Sequence, residues 1–235
     1  MTILLILLNA LIFLIVEITG GSENGQHMLE CGAVYAPLIF EQGQWYRMFT
    51  SMFLHFGAPH LINNMLVLFV LGQRLEPVVG KIKFILIYIL GGLGGNLLSL
   101  FFDMQTEKYT LSAGASGAVF AVMGGMIYVI IRHRGKVSDL TIRQMLIMAA
   151  FSLYFGFASE GVDNIAHIGG LLCGFLTAVI FYHPRKIWKT AKTPRKTRSL
   201  FASMKPCVLP FIAWGCRKRA RWPKYLATKA LIFRA

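Results

Sequence analysis

The candidate nucleophile in this sequence is Ser116, a serine in a short glycine-flanked motif. Gly114-Ala115-Ser116-Gly117 precedes an apolar run, so a tight turn there would present the Ser116 hydroxyl at the start of a helix. Free N–H groups and the positive end of the helix dipole favour the oxyanion formed when a peptide carbonyl is attacked. Gly, Ala and Ser are also ordinary packing residues of membrane helices, so the motif alone leaves both interpretations open.

A serine nucleophile needs a base, and His167 is the candidate. It lies in Ala166-His167-Ile168-Gly169-Gly170, where the glycines would let another helix approach closely. A neutral imidazole within reach of Ser116 could take the hydroxyl proton during attack and return it to the departing amine. The alternative is a buried histidine whose ring is satisfied by a carbonyl.

His60 and Asn64 form a second polar pair at the start of another apolar run. Four residues apart on a helix, they would lie on one face. An imidazole and a side-chain amide that point to the same place could donate hydrogen bonds to a developing oxyanion. The alternative is an interhelical hydrogen-bonding pair without a catalytic role.

The elements that must position these residues are membrane helices. Of the 235 residues, 56% are hydrophobic and only 14% are charged, and the mean hydropathy is +0.60. This composition is too apolar for a soluble domain of this length. The cysteines have no metal-binding spacing, and we expect no disulfide framework, no metal site and no cofactor. They are Cys31, Cys173, Cys207 and Cys216.

Six apolar runs predict an all-α membrane protein, because a span needs about 20 apolar residues as helix. The first run has neither a basic start nor a small-residue cleavage site, so we expect a retained span and not a signal peptide. The predicted spans are 2–18, 60–75, 82–104, 116–131, 142–159 and 162–182.

Basic residues divide between the two sides as six alternating spans require. One set of connections is basic and contains Arg74, Lys81, Lys83, Arg132, Arg134, Lys136 and Arg143. The opposite connections hold only Arg47 and Lys108, together with Glu23, Glu30, Glu41, Asp103, Glu107, Glu160 and Asp163. The positive-inside tendency therefore predicts a multi-pass protein of the cell membrane with cytoplasmic N- and C-termini. Ser116, His60 and His167 would then share the extracytoplasmic side.

The net charge of +14 comes from the end of the chain. Fifteen of the twenty-four Lys and Arg residues follow His183, and no Asp or Glu does. We expect residues 184–235 to be a cytoplasmic tail that meets anionic lipid headgroups, since no nucleic-acid-binding motif accompanies the charge. Lysine and proline interrupt residues 200–216, which disfavours a seventh span.

At this point the sequence resembles the rhomboid family of intramembrane serine proteases, over residues from about 45 to 182. The resemblance rests on Trp45-Tyr46-Arg47 in the first long loop, the His60-x-x-x-Asn64 pair, the Gly-Ala-Ser-Gly turn and the Ala-His-x-Gly-Gly helix start. It implies a six-helix rhomboid-like bundle at residues 1–183. It also implies cleavage of transmembrane or membrane-proximal segments of other membrane proteins.

The resemblance also implies a role for each polar residue. Ser116 and His167 correspond to a catalytic dyad with no third carboxylate member, and Gly114 and Gly117 flank the nucleophile. His60, Asn64 and the Ser116 amide correspond to the oxyanion hole. Glu76 resembles the family's structural carboxylate.

One position departs from the best-known members, because Phe120 stands where a tyrosine commonly packs against the catalytic histidine. The ring is kept, so we expect packing against His167 to survive without the hydroxyl. The fifth helix, or the loop after it, is the expected substrate gate. A non-catalytic rhomboid-like protein that binds or chaperones membrane helices is the alternative. A transporter fits less well, because the chain has no internal repeat and no charged residue in the middle of a span.

Overall fold

The computed structural model describes residues 1–158 and 161–183 of the protein, and this part of the chain is mainly helical. The α-helices are α1 (Thr2–Thr19), α2 (Gly25–Glu30), α3 (Ala36–Gln42), α4 (Arg47–Thr50), α5 (Ala58–Val79), α6 (Lys81–Thr106), α7 (Ser116–Arg132), α8 (Ile142–Phe157) and α9 (Asn164–Phe181). A 3-10 turn at Ser51–Phe53 follows α4. The strands β1 (Lys136–Val137) and β2 (Leu140–Thr141) form an antiparallel hairpin between α7 and α8.

The six predicted apolar helices are present as α1, α5, α6, α7, α8 and α9. In the described residues, α1, α6 and α9 are long and apolar enough to cross a membrane. Helix α5 together with the segment Arg47–Phe53 makes a fourth candidate, bent by 89° at the break between them. Helices α7 and α8 are apolar but shorter, with 17 and 16 residues.

The helix boundaries follow from local sequence. Gly80 separates α5 from α6 and has a φ of 85°, a conformation that glycine adopts without a steric penalty. Thr141 and Gln144 form a reciprocal capping box at the start of α8. The Asp163 side chain caps α9 by accepting a hydrogen bond from the Ala166 N–H.

The centre of the bundle is α7, whose residues from Gly117 to Ile127 are all buried. Its contact with α9 depends on glycine. A Cβ added at Gly170 would lie 2.8 Å from the carbonyl carbon of Gly117 and closer still to its oxygen, and one added at Gly174 would overlap the backbone of Ala121. The two backbones therefore touch directly, as small residues permit in membrane helices.

The end of the bundle opposite Ser116 is held by polar contacts. Glu76 accepts hydrogen bonds from the Thr2 N–H at 2.8 Å and the Thr2 hydroxyl at 2.7 Å, which joins α5 to α1. Arg74 Nε and Nη2 contact the two carboxylate oxygens of Asp139 at 2.7 and 2.8 Å, which joins α5 to the β-hairpin. Through this hydrogen-bonded ion pair Arg74 lowers the pKa of Asp139 to about 2.

Two sets of expectations fall on residues outside the described ones. The predicted cytoplasmic tail at 184–235, with Cys207, Cys216 and the disfavoured seventh span, lies there. So do residues 159 and 160 of the connection between α8 and α9.

Candidate active site

Ser116 is the first residue of α7 and follows a turn that only glycine can make. Gly114 has a φ of 153°, and a Cβ there would lie 2.8 Å from Cε1 and 3.0 Å from Nε2 of His60. The Ser116 hydroxyl oxygen would lie 3.5 Å from this added Cβ atom. Gly114 thus leaves room for the His60 ring to reach the neighbourhood of Ser116. As the first helical residue, Ser116 also has a backbone N–H that the helix itself does not use.

His60 and Asn64 lie in the first two turns of α5, on one face as their spacing predicted. Asn64 is buried, and its amide nitrogen has no hydrogen-bond partner among the described residues. The two donors predicted from the sequence, His60 and Asn64, therefore lie near the start of α5. The Asn64 amide is free to donate a hydrogen bond to a substrate.

His167 lies one turn into α9 and is 7% exposed. Its ring stacks on that of Phe120 in α7, with centroids 4.3 Å apart and planes 10° from parallel. The expected aromatic packing is therefore present without the tyrosine hydroxyl. The ring nitrogen Nδ1 is buried without a partner, and no hydrogen bond joins His167 to Ser116 within the described chain.

The approach of α9 to α7 decides the distance between these two side chains. Gly117 follows Ser116, and Gly170 lies three residues after His167, close to one helical turn. The backbone contact between these two glycines therefore fixes both candidate residues at the same end of the same helix pair. Ala166 adds a second contact, because its carbonyl oxygen lies 2.6 Å from the Cβ position of Gly95 in α6.

The turn before Ser116 is held by residues that sequence reasoning missed. His55 is 1% exposed and its Nε2 accepts the Ala115 N–H at 3.3 Å. Nε2 must therefore be unprotonated, because an amide nitrogen can only donate. The Ser51 carbonyl accepts the Gly114 N–H at 2.9 Å, and Asn96 of α6 donates to the Ser51 hydroxyl at 3.0 Å. A histidine five residues before His60 was the signal available in the sequence.

Arg47 explains the first-loop element that the sequence analysis singled out. Its guanidinium is buried and donates to the carbonyls of Leu29 at 2.6 Å and Ala33 at 3.0 Å, and to the Gln44 side chain at 2.7 Å. Three stretches of the loop are thus gathered around one cation. The rings of the neighbouring Trp45 and of Phe40 form a T-shaped contact, with their centroids 5.4 Å apart.

Asp163 is a further residue that the sequence analysis did not place in the site. Its Oδ2 accepts hydrogen bonds from the hydroxyls of Ser99 at 2.6 Å and Ser112 at 2.9 Å, while Oδ1 caps α9. The available signal was its residue type, because an Asp four residues before His167 at the start of an apolar run is a candidate N-cap.

These groups suit acyl transfer: a hydroxyl at a helix start, an imidazole, and further hydrogen-bond donors nearby. Among residues 1–158 and 161–183, no three His, Cys, Asp or Glu side chains cluster as metal ligands would.

The comparisons with known proteins identify the family of this chain. The rhomboid domain family matches residues 42–184. Rhomboid protease GluP of Bacillus subtilis (strain 168) is 37% identical over 184 residues, which cover 78% of this chain and 35% of that protein. RHOMBOID-like protein 4 of Arabidopsis thaliana is 36% identical over 160 residues, 67% of this chain and 39% of that protein.

A further relative is Rhomboid-like protease 3 of Toxoplasma gondii. It is 34% identical over 167 residues, 70% of this chain and 61% of that protein. The matched segment spans less than two thirds of each of these three relatives. The chain belongs to the rhomboid family, whose named members include proteases, and it is an integral membrane protein.

Proposed function

We propose that the protein is a serine-type intramembrane endopeptidase in which Ser116 is the nucleophile and His167 the general base. The backbone contact between Gly117 and Gly170 carries this proposal, because it brings the starts of α7 and α9 together. The stack of Phe120 on His167 then fixes the plane of the imidazole. The site uses no cofactor.

The reaction proceeds by two acyl transfers. The Ser116 oxygen attacks the scissile carbonyl carbon while His167 takes the hydroxyl proton. The C–N bond breaks as the histidine gives this proton to the leaving amine. Water, deprotonated by His167, then attacks the acyl carbon, and the serine oxygen leaves and regains a proton. The missing hydrogen bond between Ser116 and His167 does not oppose this scheme, since such bonds often tighten only with substrate bound.

The oxyanion is stabilised by His60, Asn64 and the Ser116 N–H. His60 Nε2 and the Ser116 hydroxyl oxygen both lie within 3.5 Å of the Gly114 Cβ position. The uncommitted Asn64 amide can donate without breaking another protein contact. Donors that are already oriented cost no reorganisation when charge develops on the carbonyl oxygen.

In this proposal all six apolar helices cross the cell membrane, and both termini are cytoplasmic. The basic residues near the ends of α5 and α7 lie at the end of the bundle away from Ser116, as the positive-inside tendency requires. Residues 1–183 form the protease domain. Residues 184–235 form a basic tail that binds anionic lipids.

The substrates are transmembrane or membrane-proximal segments of other membrane proteins, and α8 or the loop after it admits them. Phe151, Tyr154 and Phe157 on α8 are all exposed, and α8 packs against α7 much less extensively than α9 does. The competing function is that of a non-catalytic rhomboid-like protein that binds membrane helices. The presence of both Ser116 and His167 favours the protease, because function follows the site and not the fold.

Labelling with a serine-directed fluorophosphonate tests the proposal. The parent protein should be labelled and should cleave a rhomboid-type transmembrane substrate in detergent. Ser116→Ala and His167→Ala should each abolish cleavage while leaving the protein folded, and the double variant should be no worse than either, because the two residues act as one unit. Near-normal turnover in either single variant would show that the dyad is wrongly assigned, and a parent that binds substrate helices without cutting them would support the non-catalytic function.

A further inference from the structure

Asp163 joins the two segments that carry the proposed dyad. It lies four residues before His167, and the His167 N–H donates to its carbonyl oxygen at 3.2 Å. Its side chain accepts the hydroxyl of Ser112, which lies four residues before Ser116, at 2.9 Å. The carboxylate therefore links the approach to the nucleophile with the approach to the base.

Each side of this link is itself fixed. Ser112 exchanges two backbone hydrogen bonds with Val34, at 2.8 and 3.0 Å, so its position in the loop is set by the first-loop segment. On the other side, Oδ1 of Asp163 accepts the Ala166 N–H at 2.8 Å and caps α9. A change at the hydrogen bond between Ser112 and Asp163 is therefore transmitted to the backbone of both segments.

The third bond of Asp163, from the Ser99 hydroxyl at 2.6 Å, leads to α6. No proposed catalytic residue lies on that helix. Ser99 and Ser112 thus donate the same kind of bond to the same carboxylate oxygen, but only Ser112 belongs to the segment that ends at Ser116. This gives an internal control for the role of the link.

The charge itself suits this place. Within the described residues Asp163 has no ion-pair partner, and its carboxylate lies at the N-terminal end of α9, where the helix dipole favours an anion. Hydrogen bonds to an ionised acceptor are shorter and stronger than those between neutral groups. Three such bonds hold the carboxylate in one orientation.

We propose that Asp163 is a positioning residue, which sets the distance between Ser116 and His167 by tying the start of α9 to the loop before α7. This inference rests on the proposed Ser116–His167 dyad. It assigns to the carboxylate a role other than that of a third member of a triad, because its bonds go to serine hydroxyls and to a backbone amide.

The matched pair Ser112→Ala and Ser99→Ala tests the inference. Each variant removes one hydroxyl bonded to the same oxygen, so a purely structural role predicts equal losses of thermal stability and no difference in turnover. If Asp163 sets the dyad distance, Ser112→Ala lowers kcat about tenfold with KM changed less than about twofold, while Ser99→Ala lowers kcat less than about twofold. A misplacement smaller than 1 Å is enough for a loss of this size.

Two substitutions of Asp163 itself distinguish its capping of α9 from its hydrogen bond to Ser112. Asp163→Ser keeps a good N-cap residue but is too short to reach the hydroxyls, so its kcat should fall as in Ser112→Ala. Asp163→Asn keeps both the cap and the reach and should retain kcat within about threefold, because its amide can bond a serine oxygen. Combining Asp163→Ser with Ser112→Ala should cost no more than either change alone, since both remove the same bond.

Parental kcat in Ser112→Ala, or equal losses in Ser112→Ala and Ser99→Ala, would overturn the inference. If Ser112→Ala fails to fold, the comparison of Asp163→Ser with Asp163→Asn decides the question in the same way. Failure of the proposed function gives a different result, because Ser116→Ala would then remain active or the parent would not be labelled. An inactive Ser116→Ala variant together with a fully active Ser112→Ala variant would contradict the role of Asp163 but not the proposed dyad.

Discussion

Gly170→Ala should separate the two helices that carry the proposed dyad. The new methyl group would lie 2.8 Å from the carbonyl carbon of Gly117 and 3.1 Å from its Cα, and nearer still to its oxygen. All three atoms belong to the backbone, so no side-chain rotation can relieve the overlap. Close-packed interiors have no spare volume, and α9 must therefore retreat by roughly 1 Å at this point.

The displacement of α9 sets the expected losses of stability and turnover in Gly170→Ala. Insertion of a methylene into a packed core costs about 1–3 kcal/mol, and contact with rigid backbone places this substitution at the upper end of the range. The catalytic loss should be larger than the stability loss suggests, because a misplacement of about 1 Å can reduce turnover about a hundredfold. We expect kcat for a fluorescent transmembrane substrate to fall by about that factor at temperatures where the variant is fully folded.

Gly125→Ala is the matched control on α7. Its new Cβ would lie 3.1 and 3.2 Å from two methyl carbons of the Ile87 side chain, which need to shift by only a few tenths of an ångström. Turnover and Tm should stay close to those of the parent, since alanine also favours the helix by up to about 1 kcal/mol relative to glycine. A Gly170→Ala protein with parental Tm and parental kcat would refute the reasoning, because it would show that the close approach of α9 to α7 does not fix the site.

Three further outcomes follow from the structure and the sequence. Asn64→Ala should lower turnover by roughly tenfold to a thousandfold, the range for removing one of several oxyanion donors. Asp139→Asn should lower the free energy of unfolding slightly at neutral pH, by less than about 1 kcal/mol, because the Asp139 carboxylate of the pair with Arg74 is exposed. Since the folded pKa of Asp139 is about 2, this difference should vanish as pH falls from about 4, the unfolded pKa, towards 2. Truncation after His183 should preserve cleavage but remove a preference for anionic over neutral lipid nanodiscs, at roughly 1 kcal/mol per basic residue engaged.

Each of these outcomes has a clear contrary result. Unchanged turnover in Asn64→Ala would make that residue an interhelical hydrogen-bonding group. A stability difference for Asp139→Asn that persists well below pH 2 would show that the carboxylate stabilises the fold other than through its charge. A truncated protein that inserts but no longer cleaves would show that the tail contributes to the protease domain, and protease protection in sealed vesicles would then locate the C-terminus.

The long helices could be predicted from the sequence because apolar runs bounded by glycine, proline or capping residues determine them. The predicted runs at 2–18 and 82–104 correspond to Thr2–Thr19 and Lys81–Thr106. The run at 60–75 is longer at both ends as Ala58–Val79, because Pro59 lies in its first turn and Glu76 and Pro77 interrupt the apolar pattern near its end. Helices α2 to α4 could not be found in this way. They are short, and tertiary contacts such as those of Arg47 hold them.

The glycine pattern was only partly informative. Gly117, Ala121 and Gly125 repeat at four-residue spacing in the sequence, which predicts one smooth stripe on the helix, and the first two do face α9. Gly125 faces Ile87 of α6, and Gly124 is the residue that meets the α9 backbone, at Leu171. The helical period explains this result. Seven residues bring the chain to within about 20° of the starting direction, whereas eight carry it about 80° away.

The candidate site could be predicted where residue type and helix position were sufficient, but its support could not. Ser116, His60 and His167 begin three helices that start at one end of the bundle, and alternating spans demand that arrangement. His55, Ser51 and Asp163 bond to atoms more than 50 residues away in sequence, and no local pattern specifies such partners. Reasoning from the sequence found none of these links.

The arrangement of helix starts also explains why so much polarity is tolerated here. An unpaired buried polar group costs about 1–3 kcal/mol, and both Asn64 Nδ2 and His167 Nδ1 are buried without a protein partner in the described chain. A helix start is already a place of unused N–H groups and positive potential. Grouping α5, α7 and α9 by their N-termini therefore places the unpartnered Asn64 amide and the Ser116 N–H where an anion can accept hydrogen bonds from both. The oxyanion of a peptide under attack is such an anion, and in the proposed reaction it exists only in the step that must be accelerated.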